Sequence, residues 1–160
     1  MRDIVKSIHI IEKDVSELTD EERRLIDEAK EATFRSYSPY SKFSVGAAAL
    51  LDNGEIISGS NQENCATPSG ICAERTTVFY ANSRYPDKRL LKLCIAARNT
   101  QGEFTPYPIT PCGSCRQVLL ETEHRYGQPI EIILYGTEGV YFVASAADLL
   151  PVGFDNSKLN

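Results

Sequence analysis

The sequence contains no tryptophan, a single methionine and only two histidines in 160 residues. It has no apolar run near the roughly 20 residues that a membrane-spanning helix needs. Residues 1–15 also lack the apolar core of a secretory signal peptide. We therefore expect no membrane partner and a cytoplasmic location.

Basic residues are too few for a protein that binds nucleic acid through its phosphates. Lysine and arginine number 17 against 22 acidic residues, which gives a formal net charge of -5. A nucleic-acid surface must be basic, so we expect no such partner, whereas a small neutral substrate is compatible with this charge. Five cysteines in a chain without an export signal favour metal binding or buried thiols over disulfides.

Hydrophobic periodicity predicts alternating helices and strands in a single domain, residues 1–160. Thr19 and Glu22 match a capping box at the start of the first helix. Residues 1–18 form an extension, and its isoleucines predict an edge strand or a segment that packs on a neighbouring surface. The predicted helices are 20–37, 72–84, 112–125 and 145–149, and the predicted strands are 43–51, 56–58, 90–97, 130–135 and 140–143.

This order of elements predicts an α/β fold of three layers. Strand–helix–strand units imply a parallel pairing in the middle of the sheet. The loop at 136–139 is too short for a crossover, so the strands on either side of it should be antiparallel. We expect a mixed five-stranded sheet between helices on both faces, an α/β/α sandwich.

Two short motifs carry the chemistry of the sequence. The first is Cys72-Ala73-Glu74-Arg75, and the second is Pro111-Cys112-Gly113-Ser114-Cys115-Arg116. A spacing of three places Cys112 and Cys115 on one face of a helix. With Cys72 they can occupy three corners of a tetrahedron around Zn²⁺. Structural zinc sites are usually closed by four protein ligands, whereas catalytic sites keep one position open for water.

No other residue is well placed to be the fourth zinc ligand. His9 lies in the extension, and His124 is far along the third helix. Cys65 and Cys94 have no partner at metal-binding spacing. The sequence therefore predicts one Zn²⁺ held by three thiolates with an open position.

Glu74 is held near this open position because it lies two residues from Cys72. A carboxylate there can take a proton from water and pass it to a substrate atom. Carboxylates also bind zinc, so a fourth-ligand role for Glu74 remains an alternative.

The charge around the metal needs compensation, because three thiolates leave a zinc site with a net charge of about -1. Both motifs open helices, whose positive N-terminal ends stabilise thiolates. Arg75 and Arg116 each follow a ligand and could hydrogen-bond a thiolate. The alternative for both arginines is ordinary solvation at the surface.

In these motifs the sequence resembles a known family, the small homotetrameric zinc-dependent cytidine deaminases. The motifs match the C-x-E…P-C-x-x-C signature of zinc nucleobase deaminases, and the order and spacing of further blocks agree from about residue 20 to 155. The extension, residues 1–18, lies outside the resemblance. The matching blocks are Phe43-Ser44-Val45-Gly46-Ala47, Asn61-Gln62-Glu63-Asn64, Cys72-Ala73-Glu74-Arg75-Thr76 and Pro111-Cys112-Gly113-Ser114-Cys115-Arg116-Gln117.

The resemblance implies hydrolysis of cytidine and deoxycytidine to uridine and deoxyuridine with release of ammonia, as in pyrimidine salvage. It implies that Glu74 moves protons between water and the base, whereas charge tuning by Arg75 is predicted from its place near the thiolates. It further implies a homotetramer with shared active sites, in which Phe154 closes the site of a neighbouring subunit. The other substrate-binding residues that it implies are Phe43, Asn61, Glu63, the backbone of Ala73 and the carbonyl near Thr110.

One position departs from the family. Thr67 precedes Pro68 where the family usually has a tyrosine near the ribose. A related zinc deaminase that acts on another aminated heterocycle is therefore the alternative enzyme. A zinc-stapled binding module without catalysis is the alternative from another class.

Overall fold

A six-stranded mixed sheet forms the centre of the protein. The computed structural model describes residues 1–156 and 159. Along the sheet the strands follow the order β1-β6-β5-β4-β2-β3. The strands are β1 (Ile10–Lys13), β2 (Ser44–Leu51), β3 (Ile56–Ser60), β4 (Leu90–Arg98), β5 (Glu131–Tyr135) and β6 (Val140–Val143), and the α-helices are α1 (Asp20–Ala32), α2 (Ala73–Arg84) and α3 (Gly113–Tyr126).

The sheet has six strands, so the prediction of five was wrong by one. The additional strand is β1, which pairs antiparallel with β6 from Ile10↔Val143 to Lys13↔Val140. The extension thus forms the edge strand that was one of its two predicted states. Its strand partner lies at the other end of the chain, and a local sequence pattern cannot show such a pairing.

Helices cover both faces of the sheet, as predicted. α1 packs on one face through Leu25, Ile26 and Ala29, while α2 and α3 pack on the other through residues such as Val78 and Leu119. β4 and β5 run parallel because α3 crosses between them. The three-layer α/β/α architecture is therefore confirmed.

Two glycines let helices approach the sheet closely. A Cβ on Gly46 would lie 2.1 Å from the carbonyl oxygen of Ala29 in α1. A Cβ on Gly59 would lie 2.8 Å from Oγ1 of Thr77 in α2. Larger residues at these positions would push the helices away from the sheet. The second contact matters for the site, because α2 carries Glu74.

Two helix assignments differ from the sequence prediction. The capping box of Thr19 and Glu22 is present at the start of α1, but α1 ends at Ala32 and continues as a 3₁₀ turn, Thr33–Arg35. The short element near 145–149 is also a 3₁₀ helix, Ala146–Leu149. Within residues 1–156 and 159, no helix has the length and apolar character needed to cross a membrane.

Candidate metal centre and substrate cavity

The N-termini of α2 and α3 bring three thiols together. Cys72 is the N-cap residue of α2 and Cys112 that of α3, and neither side chain caps its helix. Cys112 Sγ lies 3.8 Å from Cys72 Sγ and 3.5 Å from Cys115 Sγ. All three sulfur atoms lie within 4.8 Å of one another.

This spacing fits a tetrahedral zinc ion. With Zn–S bonds of about 2.3 Å, two sulfur ligands of a tetrahedron stand roughly 3.8 Å apart. In the part of the chain that the structure describes, no other group of three or more His, Cys, Asp or Glu side chains is gathered in this way. The group contains neither histidine and no carboxylate, so it offers three ligands to a metal that accepts four.

The electrostatics of the cluster favour thiolate at Cys72. Its pKa is lowered to about 5, chiefly by the hydrogen bond with the Cys115 thiol and further by the guanidinium of Arg75. Arg75 Nη2 lies 3.8 Å from Cys72 Sγ. The pKa of Cys115 is raised, because its thiol supplies that hydrogen bond and because it is buried. Thiolates are the form that binds zinc.

Arg116 fills neither of the two roles considered for it. Its Nε donates to the Pro111 carbonyl oxygen at 2.8 Å, and its Nη1 donates to the Leu149 carbonyl oxygen at 3.0 Å. Nη2 reaches Thr110 Oγ1 at 3.4 Å. Arg116 therefore braces the segment before α3 against the C-terminal part of the chain.

Glu74 lies in the first turn of α2, beside the thiols and facing the same cavity. Its side chain is buried, with 5% relative exposure. Burial raises the pKa of this carboxyl group, and the neighbouring Cys72 thiolate adds to the effect. A raised pKa makes the carboxylate a stronger base, which favours a group that must take up a proton and pass it on. Glu74 is not a member of the close ligand group formed by the thiols.

A cavity of about 640 Å³ opens beside the thiols. Among the candidate residues, the structure brings Asn61, Glu63, Ala73 and Thr110 to this cavity. Phe43 and Phe154 do not line it, so their substrate roles stay predictions. The remaining wall consists of Tyr40, Ser41, Val45, Gln62, Asn64, Cys65, Thr67, Gly70, Ile71, Cys72, Glu74, Arg75, Ile95, Ile109 and Cys112.

Asn61 holds the wall of the cavity with three hydrogen bonds of its side chain. Its Oδ1 accepts from Ser36 Oγ at 2.6 Å and from the Val45 N–H at 2.8 Å. Its Nδ2 donates to the Phe43 carbonyl oxygen at 3.0 Å. An amide side chain has two donors and two acceptor sites. One N–H of the Asn61 side chain therefore takes no part in these three contacts.

Glu63 is oriented by a tight turn that the sequence analysis did not single out. Its Oε2 accepts from the N–H groups of Tyr40 at 2.9 Å and Ser41 at 3.2 Å. The turn depends on Lys42, which adopts a positive φ of 54°, an uncommon conformation for a residue with a side chain. The Ser41 hydroxyl is the largest influence that lowers the pKa of Glu63, and the two N–H groups add to it.

The roles of Tyr40 and Ser41 were missed because nothing in their local pattern shows them. Both residues precede β2, whereas Glu63 follows β3, so the two strands must pair before Tyr40 and Ser41 can contact Glu63. The Ser-Pro-Tyr-Ser stretch before β2 shows only that a turn lies there.

Comparison with known proteins gives one consistent family. The family described as "Cytidine and deoxycytidylate deaminase zinc-binding region" matches residues 19–126. A cytidine deaminase of Sporosarcina psychrophila is 38% identical over 137 residues, 86% of this chain and 93% of that protein. A cytidine deaminase of Halalkalibacterium halodurans is 36% identical over 136 residues, 85% of this chain and 96% of that protein.

The fold agrees with the sequence comparison. The crystal structure of a cytidine deaminase from Burkholderia pseudomallei superposes with a TM-score of 0.70 at 37% identity, over 86% of this chain and all of that one (100%). The family match spans both helix starts that hold the thiols and leaves out the extension. The three-thiol cluster, the buried glutamate and these similarities lead to one conclusion: the chain is a hydrolytic deaminase and belongs to the cytidine and deoxycytidylate deaminase family.

Proposed function

We propose that this enzyme deaminates cytidine and deoxycytidine by hydrolysis, giving uridine and deoxyuridine and releasing ammonia. The observation that supports the proposal most directly is that the group of three thiols adjoins a single cavity, whose wall contains Cys72, Cys112 and the buried Glu74. We propose one Zn²⁺ per subunit, within one domain of residues 1–160. The setting that suits this reaction is pyrimidine salvage in the cytoplasm.

The reaction requires an activated water and a group that moves protons. When bound by Cys72, Cys112 and Cys115, Zn²⁺ supplies the activation, since a metal ion lowers the pKa of water. Glu74 takes the proton that the water loses and delivers it to N3 of the pyrimidine. The oxygen of the water forms a bond to C4 of the pyrimidine, the C4–N bond breaks, and Glu74 helps protonate the amino group so that it leaves as ammonia. Burial suits Glu74 to this work, because its raised pKa brings it closer to the working pH.

The base needs hydrogen-bond partners for its polar edge. We propose the backbone of Ala73 and the carbonyl near Thr110 for this purpose. Both residues line the cavity on the side of the thiols. Backbone groups at a helix start are fixed in direction, and α2 begins at Ala73.

The ribose is proposed to bind at the loop side of the cavity, where Asn61 and Glu63 lie. The unused N–H of Asn61 can donate to a hydroxyl oxygen. Glu63 uses Oε2 for the turn, which leaves Oε1 to accept from a hydroxyl. A carboxylate in this place also repels a 5′-phosphate. The geometry therefore favours nucleosides over nucleotides.

We further propose a homotetramer with shared active sites. Phe154 would close the cavity of a neighbouring subunit, and Phe43 would line the pocket. The position of Phe154 supports the first part of this proposal, because the residue is 60% exposed and is absent from the wall of its own cavity.

Ammonia release from a panel of substrates tests the proposed function. The panel contains cytidine, deoxycytidine, their 5′-phosphates, adenosine and guanine, each with and without a chelator. We expect rapid release from both cytidine nucleosides, little from the phosphates, and none after the metal is removed. Absence of release from either nucleoside would overturn the proposal.

One observation favours a second candidate, a zinc deaminase for another aminated heterocycle. Thr67 lines the cavity where an aromatic side chain was expected. The smaller side chain leaves space for a larger ligand and cannot stack on it. Release of ammonia from guanine or adenosine, with none from cytidine, would establish this second function.

A further inference from the structure

The side chain of Gln117 forms two hydrogen bonds with the backbone of Phe154. Gln117 Nε2 donates to the Phe154 carbonyl oxygen at 2.7 Å, and the Phe154 N–H donates to Gln117 Oε1 at 3.3 Å. One amide side chain thus satisfies both polar groups of a single residue 37 positions away. Such a pair fixes the position and the direction of the Phe154 backbone.

Other contacts fasten the same C-terminal segment, 149–154. The carbonyl oxygen of Leu149 accepts from Arg116 at 3.0 Å, and the carbonyl oxygen of Pro151 accepts from Lys6. Gly153 lies so close to α3 that a Cβ there would be 2.3 Å from Leu120 Cδ2. The segment is therefore held along its length by α3 and by the extension.

The ring that this segment carries is largely exposed and lies outside the cavity of its own chain. Phe154 is 60% exposed, and it does not line the cavity beside the thiols. An exposed aromatic ring on a firmly held backbone is a preorganised contact, because little further entropy is lost when it meets a surface. Phe and other aromatic anchors are enriched in the centres of protein interfaces.

We propose that Gln117 is a positioning residue for the active site of a second copy of this chain. It fixes the Phe154 backbone so that the ring projects into the substrate cavity of the neighbouring subunit. Gln117 lies two residues after Cys115 on α3. The same helix therefore sets the metal ligand of one site and the aromatic contact of another. This inference rests on the proposed function, since it needs a substrate in the cavity that the ring closes.

A double-mutant cycle tests whether Gln117 acts through Phe154. Gln117→Glu keeps the shape and an acceptor, but it replaces the donor by an oxygen that repels the Phe154 carbonyl. We expect Gln117→Glu to raise KM for cytidine about 3- to 10-fold, the range for losing one hydrogen bond, with kcat nearly unchanged. Phe154→Ala should raise KM at least as much. In the Phe154→Ala background, Gln117→Glu should add nothing, since the ring is already gone.

Two further variants separate this role from general damage. Gln117→Met removes both hydrogen bonds without adding charge and should raise KM in the same way. Gln101→Glu makes the same chemical change on an exposed loop and should leave KM unchanged. Equal KM effects of Gln117→Glu with and without the Phe154 ring would overturn the inference, and so would a loss of zinc in the Gln117 variants.

Hydrogen exchange keeps the test independent of the proposed function. The amide of Phe154 should exchange faster in Gln117→Glu and Gln117→Met than in the parent, while amides in α3 stay protected. If the parent releases no ammonia from cytidine, the proposed function fails while this exchange result still stands. An unchanged exchange rate of the Phe154 amide would show that Gln117 does not hold the Phe154 backbone, whatever the substrate is.

Complementation shows which copy receives the ring. Subunits with Glu74→Gln keep Phe154 but have a disabled site, and subunits with Phe154→Ala have a working site but no ring. Co-expression of the two should restore a low KM in part of the active sites. If every active site keeps the high KM of Phe154→Ala alone, the ring does not act between copies.

Discussion

The two ends of the cavity are built in different ways. At the thiol end, Cys72 and Cys112 stand at the starts of α2 and α3, and Cys115 follows one turn into α3. At the loop end, Asn61 and Glu63 lie outside regular elements and are held by individual hydrogen bonds. The register of a helix fixes the first end, whereas a few separate contacts fix the second.

The difference suits the two ends of the cavity to the different tasks proposed for them. Metal chemistry needs ligand atoms within a few tenths of an ångström of their places, which helix starts packed on a sheet can supply. Substrate recognition tolerates more freedom, and loops on a rigid scaffold commonly provide it. Changes at the thiol end should therefore abolish turnover, and changes at the loop end should grade it.

Among the changes that distinguish the two ends of the cavity, removal of a thiol should have the largest effect on zinc content and turnover. Cys115→Ala leaves two thiols for a metal that needs at least three protein ligands, so zinc content and turnover should both fall at least ~100-fold. Metal analysis and ammonia release measure the two quantities. Cys94→Ala is the matched control, because Cys94 is buried in the core against α1. It should cost about 1–2 kcal/mol of stability and keep the zinc.

A graded loss is expected at the loop end. Glu63→Gln keeps the size of the side chain but loses the charge that strengthens a hydrogen bond to a ribose hydroxyl. KM for cytidine should rise roughly tenfold, while kcat changes little. The same variant should accept cytidine 5′-phosphate better than the parent, because the repulsion has gone. A fall in kcat with constant KM would contradict a recognition role.

The pH dependence of KM tests how the turn before β2 affects Glu63. The Ser41 hydroxyl and the turn amides hold the pKa of Glu63 below its ordinary value of 4.5. Glu63 therefore stays charged as the pH falls through 4.5, and KM should rise only at a lower pH. In Ser41→Ala the pKa of Glu63 moves up, so the rise in KM should begin at a higher pH. KM measured from about pH 4 to about pH 8, with Ser83→Ala as the control, decides this.

The smallest effect is expected from filling the space beside the loop. Thr67→Tyr would add an aromatic face to the cavity wall. KM for cytidine should fall about 2- to 5-fold, the range for one added aromatic contact. A rise in KM would indicate that the ligand uses the space that Thr67 leaves. That result would favour the second candidate function, deamination of a heterocycle other than cytosine.

The fold could be predicted where the controlling contacts are local. The capping box of Thr19 and Glu22, the hairpin at Asn53-Gly54 and the buried strands all appear in their own segments of sequence. The end of α1 at Ala32 and the pairing of β1 with β6 could not be predicted in this way. β1 pairs with a strand that lies far away in sequence, and Thr33, the residue after α1, accepts hydrogen bonds from the distant Arg98.

The site divides in the same manner. The close approach of the three thiols was predicted because two of them lie on one helix and the third beside a glutamate. The turn that orients Glu63 depends on a positive φ at Lys42. It also depends on contacts between residues far apart in sequence, such as the hydrogen bond from Tyr40 to Glu63, which are 23 residues apart. No pattern within the turn itself reveals those contacts.

Glu74→Gln tests the central claim most directly, because it removes the proposed proton carrier and keeps the shape of the side chain. Zinc content and cytidine turnover are measured on the same preparation. We expect zinc at the parent level and turnover lower by ~10² to 10⁴-fold, the range for a lost general acid–base group. Turnover near the parent level would contradict the role of Glu74. Loss of zinc would show that Glu74 is a fourth ligand and that the site is closed.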